Sequence, residues 1–207
     1  LADVRGRAST YVGACFEGDG APSYWPFVQL FRSLLEETDD EDLAELLRGG
    51  DADLLSLIPE LAERLPEGVV SEPLEGKQAR FRLFDTVASF LRRRAKQRPL
   101  VLVLEDLHWA DRDSMLLTSF LGGALRDARV HLIGTYRDID IRRDRPLGVL
   151  LRDLARLPHC ERIGLRGLEP EQVVALLRRT AGEDIESPVS EAIVAMTEGN
   201  PFFVREL

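Results

Sequence analysis

The continuous apolar run Leu100–Leu104 ends abruptly in two carboxylates, Glu105 and Asp106. The run consists only of Leu and Val, which is typical of a strand that is buried on both faces, as in a parallel sheet. No other stretch of the chain restricts the fold as strongly. The run therefore predicts a core built around a parallel β-sheet.

Other segments supply the partners for this strand. Alternating patterns predict further strands over residues 9–16, 130–136 and 160–165. Apolar residues at helical spacing predict helices over 24–36, 40–48, 53–65, 76–97, 113–126 and 146–157, with Asp111 as the N-cap of the helix at 113–126. Beyond residue 168 the remaining helices begin at Pro170, Ser187 and Asn200. This order indicates an α/β domain over residues 1–167, followed by a small helical domain over 168–207.

Composition excludes several classes of protein. The chain has 36 acidic and 27 basic residues, and a formal charge of −9 disfavours direct nucleic-acid binding. The basic cluster 92–98 is expected to complement the dipole at the end of its own helix and to stay solvated. No apolar run reaches the roughly 18 residues of a membrane helix, so we expect a cytoplasmic protein that does not enter a membrane. Cys15 and Cys160 lie in strand-like runs and are expected to be buried, reduced thiols.

The paired carboxylates at the end of the apolar strand have a chemical logic. In an open parallel sheet, ligands gather at the carboxyl ends of the strands. One carboxylate there can hold Mg²⁺ through its water shell, and its neighbour can orient or deprotonate an attacking water. This is a Walker B arrangement. The alternative is a strand that merely ends in a polar turn.

Five motifs resemble those of one family. In chain order they are EGDGAPSYWPFVQLFRSLL (17–35), LVLVLEDLHWADRDS (100–114), IGTYRD (133–138), LRGLEPEQVVALL (165–177) and EGNPFFVREL (198–207). With these motifs, which span nearly the whole chain, the sequence resembles the STAND-type, AAA-like P-loop ATPases of bacteria. These form the ATPase segment of large LuxR-type (MalT-like) transcription regulators and of relatives fused to adenylyl cyclase or protein kinase domains. The resemblance implies an α/β fold of P-loop NTPase type, with a parallel sheet flanked by helices and a small helical lid, that binds ATP and Mg²⁺.

The resemblance also implies roles for the residues after the two predicted strands. Glu105 and Asp106 match the Walker B acids, and by position Glu105 is assigned to Mg²⁺ and Asp106 to water activation. The common order is Asp followed by Asp or Glu, so which acid touches the metal stays open, and Asp106 is alternatively a turn or helix cap. Arg137 matches the sensor arginine that reaches the γ-phosphate. Its alternative is an ion pair with Asp138 or Asp140.

In the predicted lid, Gly199-Asn200-Pro201 matches the GNP motif of the family, which places Pro201 against the adenine ring. The same residues also satisfy a helix stop followed by a proline at the first helical position, and the two roles are compatible. Trp109 is expected to pack in the core. His108 is expected either near the metal or as a cap of its loop.

A phosphate-binding loop of the form GxxxxGK[ST] does not occur in these 207 residues. The only Gly-Lys pair, Gly76-Lys77, is followed by Gln78, and Ser71 stands where the first glycine would be. The resemblance places the P-loop and its strand upstream of residue 1, with that strand near the middle of the sheet. We therefore expect weak or no ATP binding by this segment alone.

The sequence thus predicts an ATP-binding, ATP-hydrolysing switch segment of a signalling or transcriptional regulator. Its state would pass to an output domain of the same polypeptide, through ATP-dependent self-association. The alternative is a scaffold or protein-interaction module in which nucleotide binding is vestigial. An intact upstream P-loop favours the switch, and a degenerate one favours the scaffold.

Overall fold

The computed structural model describes residues 6–18, 20, 22–47, 53–64, 76–138, 146–181 and 187–206. The chain divides into two compact units, Leu1–Cys160 and Glu161–Leu207. The boundary predicted from the sequence lies slightly later, at residue 167. The described helices include none whose length and apolar content match a bilayer-spanning segment.

The first unit contains both strands and helices. Its strands are β1 (Ser9–Ala14), β2 (Leu100–Glu105) and β3 (Val130–Gly134). Its helices are α1 (Trp25–Glu36), α2 (Asp40–Leu46), α3 (Leu54–Leu57), α4 (Gly76–Gln97), α5 (Arg112–Ala124) and α6 (Pro146–Leu154), with 3₁₀ turns at Pro59–Arg64 and Leu107–Trp109. The second unit contains α7 (Pro170–Ala181), α8 (Ser187–Thr197) and α9 (Pro201–Glu206).

The described strands form one parallel sheet in the order β1-β2-β3. The central strand is β2, and its residue Leu102 lies opposite Tyr11 on one side and Leu132 on the other. All five apolar residues of β2 are buried. Leu100, Leu102 and Leu104 join the main core, while the alternating Val101 and Val103 are buried on the opposite face. The predicted strand with two buried faces is therefore confirmed.

The main core lies between the sheet and its helices. Large side chains that are almost completely buried come from β1, α1, α4 and β2: Tyr11, Phe27, Phe90, Leu91, Leu102 and Leu104. Phe31 of α1 meets Phe90 of α4 with ring centroids 5.6 Å apart. Contacts of this kind explain why the helical periodicity of the sequence predicted these two helices well. Helix α4 has the predicted ends, and Asp111 is the N-cap of α5 as predicted.

A close backbone approach fixes the start of α1 on β1. A Cβ atom at Gly13 would lie 2.0 Å from the carbonyl oxygen of Pro26 and 2.7 Å from its carbonyl carbon. Since the main chain cannot yield as a side chain does, only glycine fits at this position. The first turn of α1 therefore rests directly on the end of β1.

Arginines hold the C-terminal carbonyls of neighbouring helices. Arg92 donates to the carbonyl of Ala124 at the end of α5 (3.2 Å), and Arg93 donates to that of Leu46 at the end of α2 (2.6 Å). Arg64 reaches the carbonyl of Leu35 in the last turn of α1 and that of Thr38 just after it, both at 2.6 Å. The expectation that the cluster at 92–98 would stay solvated is thus wrong for Arg92 and Arg93. They satisfy carbonyls that a helix end leaves without partners.

Two segments differ from the predicted helices and strands. The helix predicted over 53–65 is split at Ile58, because the proline at 59 disfavours helical geometry in the residue before it. The strand predicted over 160–165 is absent: residues 160–169 form no regular element, and Ile163 and Leu165 are 74% and 92% exposed. Alternating apolar residues form a strand only beside a hydrogen-bonding partner, and the described residues offer none here. The predicted ends at residues 48 and 65 lie outside the described residues.

Two further expectations about burial are wrong. Cys160 is exposed because the segment that carries it is not a strand, whereas Cys15 is buried as expected. Trp109 is 40% exposed rather than packed in the core. It lies in a single 3₁₀ turn at the edge of the sheet, where its ring lines a surface cavity.

Candidate functional site

The carboxyl ends of the three strands meet at one edge of the sheet. Ala14 at the end of β1 lies opposite Glu105, and Leu104 lies opposite Gly134 at the end of β3. The ladder continues past β3, since the main-chain nitrogen of Thr135 donates to the carbonyl of Leu104 at 2.9 Å. The parallel sheet thus delivers the residues after β2 and β3 to the same edge, where open α/β folds bind ligands.

Asp106 leaves the strand in an unusual conformation. Its φ of 56° lies in the left-handed region, which Asp tolerates better than most residues. The Thr135 hydroxyl accepts a hydrogen bond from the Asp106 main-chain nitrogen (3.1 Å), and the Thr135 carbonyl accepts one from Leu107 (2.8 Å). The turn after β2 is therefore anchored to the first residue after β3. The Asp106 side chain remains half exposed, and no described residue donates a hydrogen bond to its carboxylate.

The two carboxylates suit a hard cation. Glu105 is exposed and Asp106 is half-buried, so neither carboxylate is shut off from solvent. Among the described residues, no three His, Cys, Asp or Glu side chains gather as a metal cage. Mg²⁺ keeps several waters and is commonly bound through one or two carboxylates together with substrate phosphates. The donor set at this edge therefore fits Mg²⁺ held by Glu105 and Asp106.

His108 follows in the 3₁₀ turn, and its imidazole is buried. Its side chain is 1% exposed, and neither ring nitrogen has a hydrogen-bond partner within the described part of the chain. Its Nδ1 atom lies 3.8 Å from Oδ1 of Asp106. A buried polar group left without a hydrogen bond destabilises a fold by about 1–3 kcal/mol. The sequence left the place of His108 open, and the structure puts it directly behind the Asp106 carboxylate.

Asp111 organises the rest of this edge. Its Oδ1 atom accepts hydrogen bonds from the main-chain nitrogens of Asp113 (3.0 Å) and Ser114 (2.9 Å), which caps α5. Its Oδ2 atom accepts one from the main-chain nitrogen of Tyr24, just before α1. The carboxylate is thus fully used in fixing loops and is not available for a ligand.

A cavity of about 290 Å³ opens beside the ends of β1 and β2. Aromatic rings from three separate segments line it, namely Phe16, Trp25 and Trp109. Cys15 is also in the wall. Burial, and after it the negative charges of Asp111 and Asp106, raises the pKa of the Cys15 thiol to about 12. The thiol is therefore protonated at neutral pH and is a poor nucleophile.

Arg137 follows β3 at the same carboxyl edge, and its side chain is exposed. This places the predicted sensor arginine on the element next to the two carboxylates. Of the two alternative ion-pair partners, Asp140 lies outside the described residues. Nothing in the geometry assigns Arg137 a ligand, so its role in reading a phosphate stays a prediction.

The predicted lid motif lies in the second unit. Glu198 and Gly199 have φ values of 52° and 68°, and a Cβ atom at Gly199 would lie 2.3 Å from the carbonyl oxygen of Leu168. Leu168 in turn donates to the carbonyl of Gly199 at 2.7 Å. The Asn200 side chain accepts a hydrogen bond from Phe202 (3.0 Å), so it caps α9, and Pro201 is the first residue of that helix. The helix stop with a following proline is therefore confirmed.

This turn also borders a cavity within the second unit. The cavity has a volume of about 480 Å³, and Asn200 and Pro201 are among the residues that line it. The apolar members are Leu165, Met196, Pro201 and Phe203. Leu165, Met196 and Phe203 are each more than half exposed. Polar and charged side chains, among them Arg166, Thr197 and Glu198, share this wall. Nothing in the geometry assigns the cavity a ligand, so the adenine contact of Pro201 stays a prediction.

A comparison with protein-family models gave one match. The model described as an AAA ATPase domain covers residues 1–133, which is more than half of the chain. The chain belongs to the AAA ATPase domain family. Comparisons with curated proteins and with solved structures found no match.

The matched residues of the AAA ATPase domain run from before β1 through Ile133 of β3. They include the Glu105-Asp106 pair. Family membership supports nucleotide binding and hydrolysis of P-loop type as the activity class. Arg137 and the turn at Gly199–Pro201 lie beyond residue 133. Their roles rest on the resemblance and on local geometry alone.

Sequence reasoning missed three contacts that shape the site of this AAA ATPase domain. Thr135 anchors the Asp106 turn, Gly13 admits the start of α1, and Asp111 reaches back to Tyr24. Each contact joins segments that are distant along the chain. The sequence shows the glycine within the first strand, the threonine after the third strand and the cap at Asp111. It does not show which residue each of them contacts.

Proposed function

We propose that this chain is the ATP-dependent switch segment of a STAND-type signalling or transcriptional regulator. The observation that supports the proposal most is the delivery of Glu105 and Asp106 to the carboxyl edge by a fully buried parallel strand. Membership of the AAA ATPase domain family supports nucleotide binding and hydrolysis as the activity class. The regulatory role rests on the resemblance of the motifs.

Each residue at the edge of the sheet has a role in this proposal. ATP bound with Mg²⁺ supplies the phosphoanhydride bond that is cleaved. Glu105 would hold the cation through its water shell, and Asp106 would orient the attacking water and accept its proton. Arg137 would neutralise charge on the γ-phosphate and thereby distinguish ATP from ADP. The P-loop would come from residues that precede β1.

The second unit would act as the lid. Asn200 and Pro201 are held in place by the cap of α9 and by the backbone contact between Gly199 and Leu168. Pro201 would then meet the adenine ring, while ATP bound by the first unit would bias the position of the lid. The state of the lid would pass to an output domain of the same polypeptide, with ATP-dependent self-association as the route.

The test joins a strand and P-loop to the amino end of the chain and measures Mg²⁺-dependent binding of a fluorescent ATP analogue and release of phosphate. We expect Asp106→Asn to lower turnover by about 10²-fold or more while nucleotide binding persists. Glu105→Gln is expected to weaken the dependence of binding on Mg²⁺. Asp127→Asn, at an exposed carboxylate after α5, is the matched control and should leave both measurements unchanged.

Normal turnover in the Glu105 and Asp106 variants would refute the Walker B assignment. Absence of nucleotide binding by the joined protein would instead favour a scaffold whose nucleotide site is vestigial. A separate variant, Arg137→Ala, is expected to reduce turnover by about 10²-fold and to weaken the preference for ATP over ADP, with ADP affinity unchanged. Arg137→Lys should recover only part of it, because an ammonium group lacks the forked donors of a guanidinium.

A further inference from the structure

The imidazole of His108 is a buried polar group without a hydrogen-bond partner among the described residues. Its side chain is 1% exposed, and both ring nitrogens are inaccessible to water. The ring contacts Trp109, with centroids 5.1 Å apart and planes tilted by 44°, but this contact satisfies neither nitrogen. Because buried polar groups in folded proteins are nearly always hydrogen-bonded, a partner has to come within reach of this ring.

The nearest charged group is the carboxylate of Asp106. Its Oδ1 atom lies 3.8 Å from Nδ1 of His108, about 1 Å beyond hydrogen-bond length. The main chain of Asp106 is fixed at both ends of the turn, by Thr135 on its nitrogen and by Trp109 on its carbonyl. The Asp106 side chain is half exposed and accepts no hydrogen bond within the described part of the chain, whereas the His108 ring is enclosed. A side-chain movement that brings Oδ1 about 1 Å closer to the ring would complete the hydrogen bond.

We propose that His108 is a positioning residue that donates from Nδ1–H to Oδ1 of Asp106 and so fixes the direction of that carboxylate. This hydrogen bond fixes the ring in the tautomer that carries its proton on Nδ1. Of the two ring nitrogens, only Nε2 then remains without a partner in the interior, and it is an acceptor. The second carboxylate oxygen stays on the exposed side of Asp106, at the carboxyl edge of the sheet. This inference rests on the proposed role of Asp106 in water activation and adds the group that holds it.

The proposal predicts a specific tautomer, which nitrogen NMR reads directly. The chain has three histidines, of which His131 and His159 are exposed. The signals of His108 are assigned as those that disappear in the His108→Gln variant. We expect Nδ1 of His108 to carry the proton and to exchange it slowly in the unliganded 207-residue chain. Protonation of Nε2 instead would overturn the proposal.

Asp106→Gly tests the partner, because glycine accepts the left-handed φ of 56° while it removes the carboxylate. We expect the Nδ1–H signal to lose its protection and the ring to populate both tautomers. Asp113→Asn removes another carboxyl charge a few residues away and should leave the His108 spectrum unchanged. An identical His108 spectrum in the Asp106→Gly chain would refute the hydrogen bond.

Turnover by the P-loop-joined protein supplies the functional readout. His108→Gln keeps a donor near Asp106 and is expected to retain most of kcat, whereas His108→Leu is expected to lower kcat at least tenfold with KM unchanged. Equal kcat in both variants would show that His108 does not position Asp106. The NMR spectra test the hydrogen bond in the absence of nucleotide, and nucleotide binding tests the proposed function. Failure of the hydrogen-bond proposal is therefore distinguished from failure of the proposed function.

Discussion

Oδ2 of Asp111 accepts a hydrogen bond from the main-chain nitrogen of Tyr24 at 3.3 Å, although 87 positions separate the two residues. The other oxygen of the same carboxylate caps α5. One side chain thus connects the start of α1 to the start of α5 across the carboxyl edge of the sheet. This link joins two of the motifs by which the chain resembles STAND-type ATPases.

Replacing Asp111 tests how much this link stabilises the fold. We expect Asp111→Ala to lower the free energy of unfolding by about 2–3 kcal/mol, since it removes both a helix cap and a tertiary hydrogen bond. Asp111→Asn should lose less than half as much, because an amide oxygen can still cap the helix. Urea denaturation measures both. The control, Asp113→Ala, breaks a half-exposed pair with Arg80 and should change stability by less than about 1 kcal/mol.

Gly13→Ala tests the contact between β1 and α1. The new Cβ would lie 2.0 Å from a main-chain oxygen, so the first turn of α1 has to move, and we expect a loss of at least about 2 kcal/mol in thermal or urea unfolding. Gly123→Ala, which meets no atom within 4 Å near the end of α5, should instead be neutral or stabilise by up to about 1 kcal/mol. Equal effects at the two glycines would contradict the close approach.

Replacing Arg64 tests how much the arginine contacts at helix ends stabilise the fold. Its guanidinium donates to two carbonyls at the end of α1, those of Leu35 and Thr38, and to the carboxylate of Asp40. We expect Arg64→Ala to lower the unfolding free energy by about 1.5–3 kcal/mol, and Arg64→Lys to recover less than half of that because the ammonium cannot reach all three acceptors. Arg126→Ala removes an exposed pair with the adjacent Asp127 and should stay within about 0.5 kcal/mol of the unaltered chain.

The two thiols are expected to differ in reactivity. Cys160 is exposed and should react promptly with a disulfide reagent at pH 8, whereas Cys15 is buried with a pKa raised to about 12 and should react only after denaturation. A count of one fast thiol in the native chain and two in denaturant checks this. Cys160→Ser should abolish the fast reaction, and a fast reaction that survives in that variant would contradict the burial of Cys15.

The raised pKa of Cys15, together with that of Tyr24, predicts how the free energy of unfolding depends on pH. Burial raises the pKa of Cys15 from 9.0, and that of Tyr24 from 10.0, to about 12 in each case. Above the ordinary values the unfolded chain loses these protons while the folded chain keeps them, so the free energy of unfolding should fall as pH rises from 9 toward 12. Urea midpoints across this range measure the slope, which should be shallower in a Cys15→Ala, Tyr24→Phe double variant.

Local patterns predicted much of the fold. The run at Leu100–Leu104 identified the central strand, and the apolar stripe of α4 identified its full length. The strand predicted at 160–165 failed because alternation alone does not supply a hydrogen-bonding partner. Trp109 is exposed because it follows the left-handed turn at Asp106, and composition does not reveal which way a residue faces after such a turn.

The candidate site was predicted only in part, because local patterns do not reveal contacts between separate segments. Its carboxylates follow from where a buried strand ends, which the sequence displays directly. The buried position of His108, the anchoring of Asp106 by Thr135 and the contact of Asp111 with Tyr24 depend on how separate segments pack. Such contacts leave no periodic signal in a single sequence.

The order of strands in the sheet has a consequence for how the chain folds. Pairing β2 with β3 closes a connection of about 24 residues, while pairing β1 with β2 closes one of about 85, and the longer closure costs about 1 kcal/mol more in chain entropy. We therefore expect β2, α5 and β3 to form the folding nucleus, with a higher φ-value for Leu117→Ala in α5 than for Tyr11→Phe in β1. The part of the sheet that carries the two carboxylates would then be assembled before the first strand of the chain joins it.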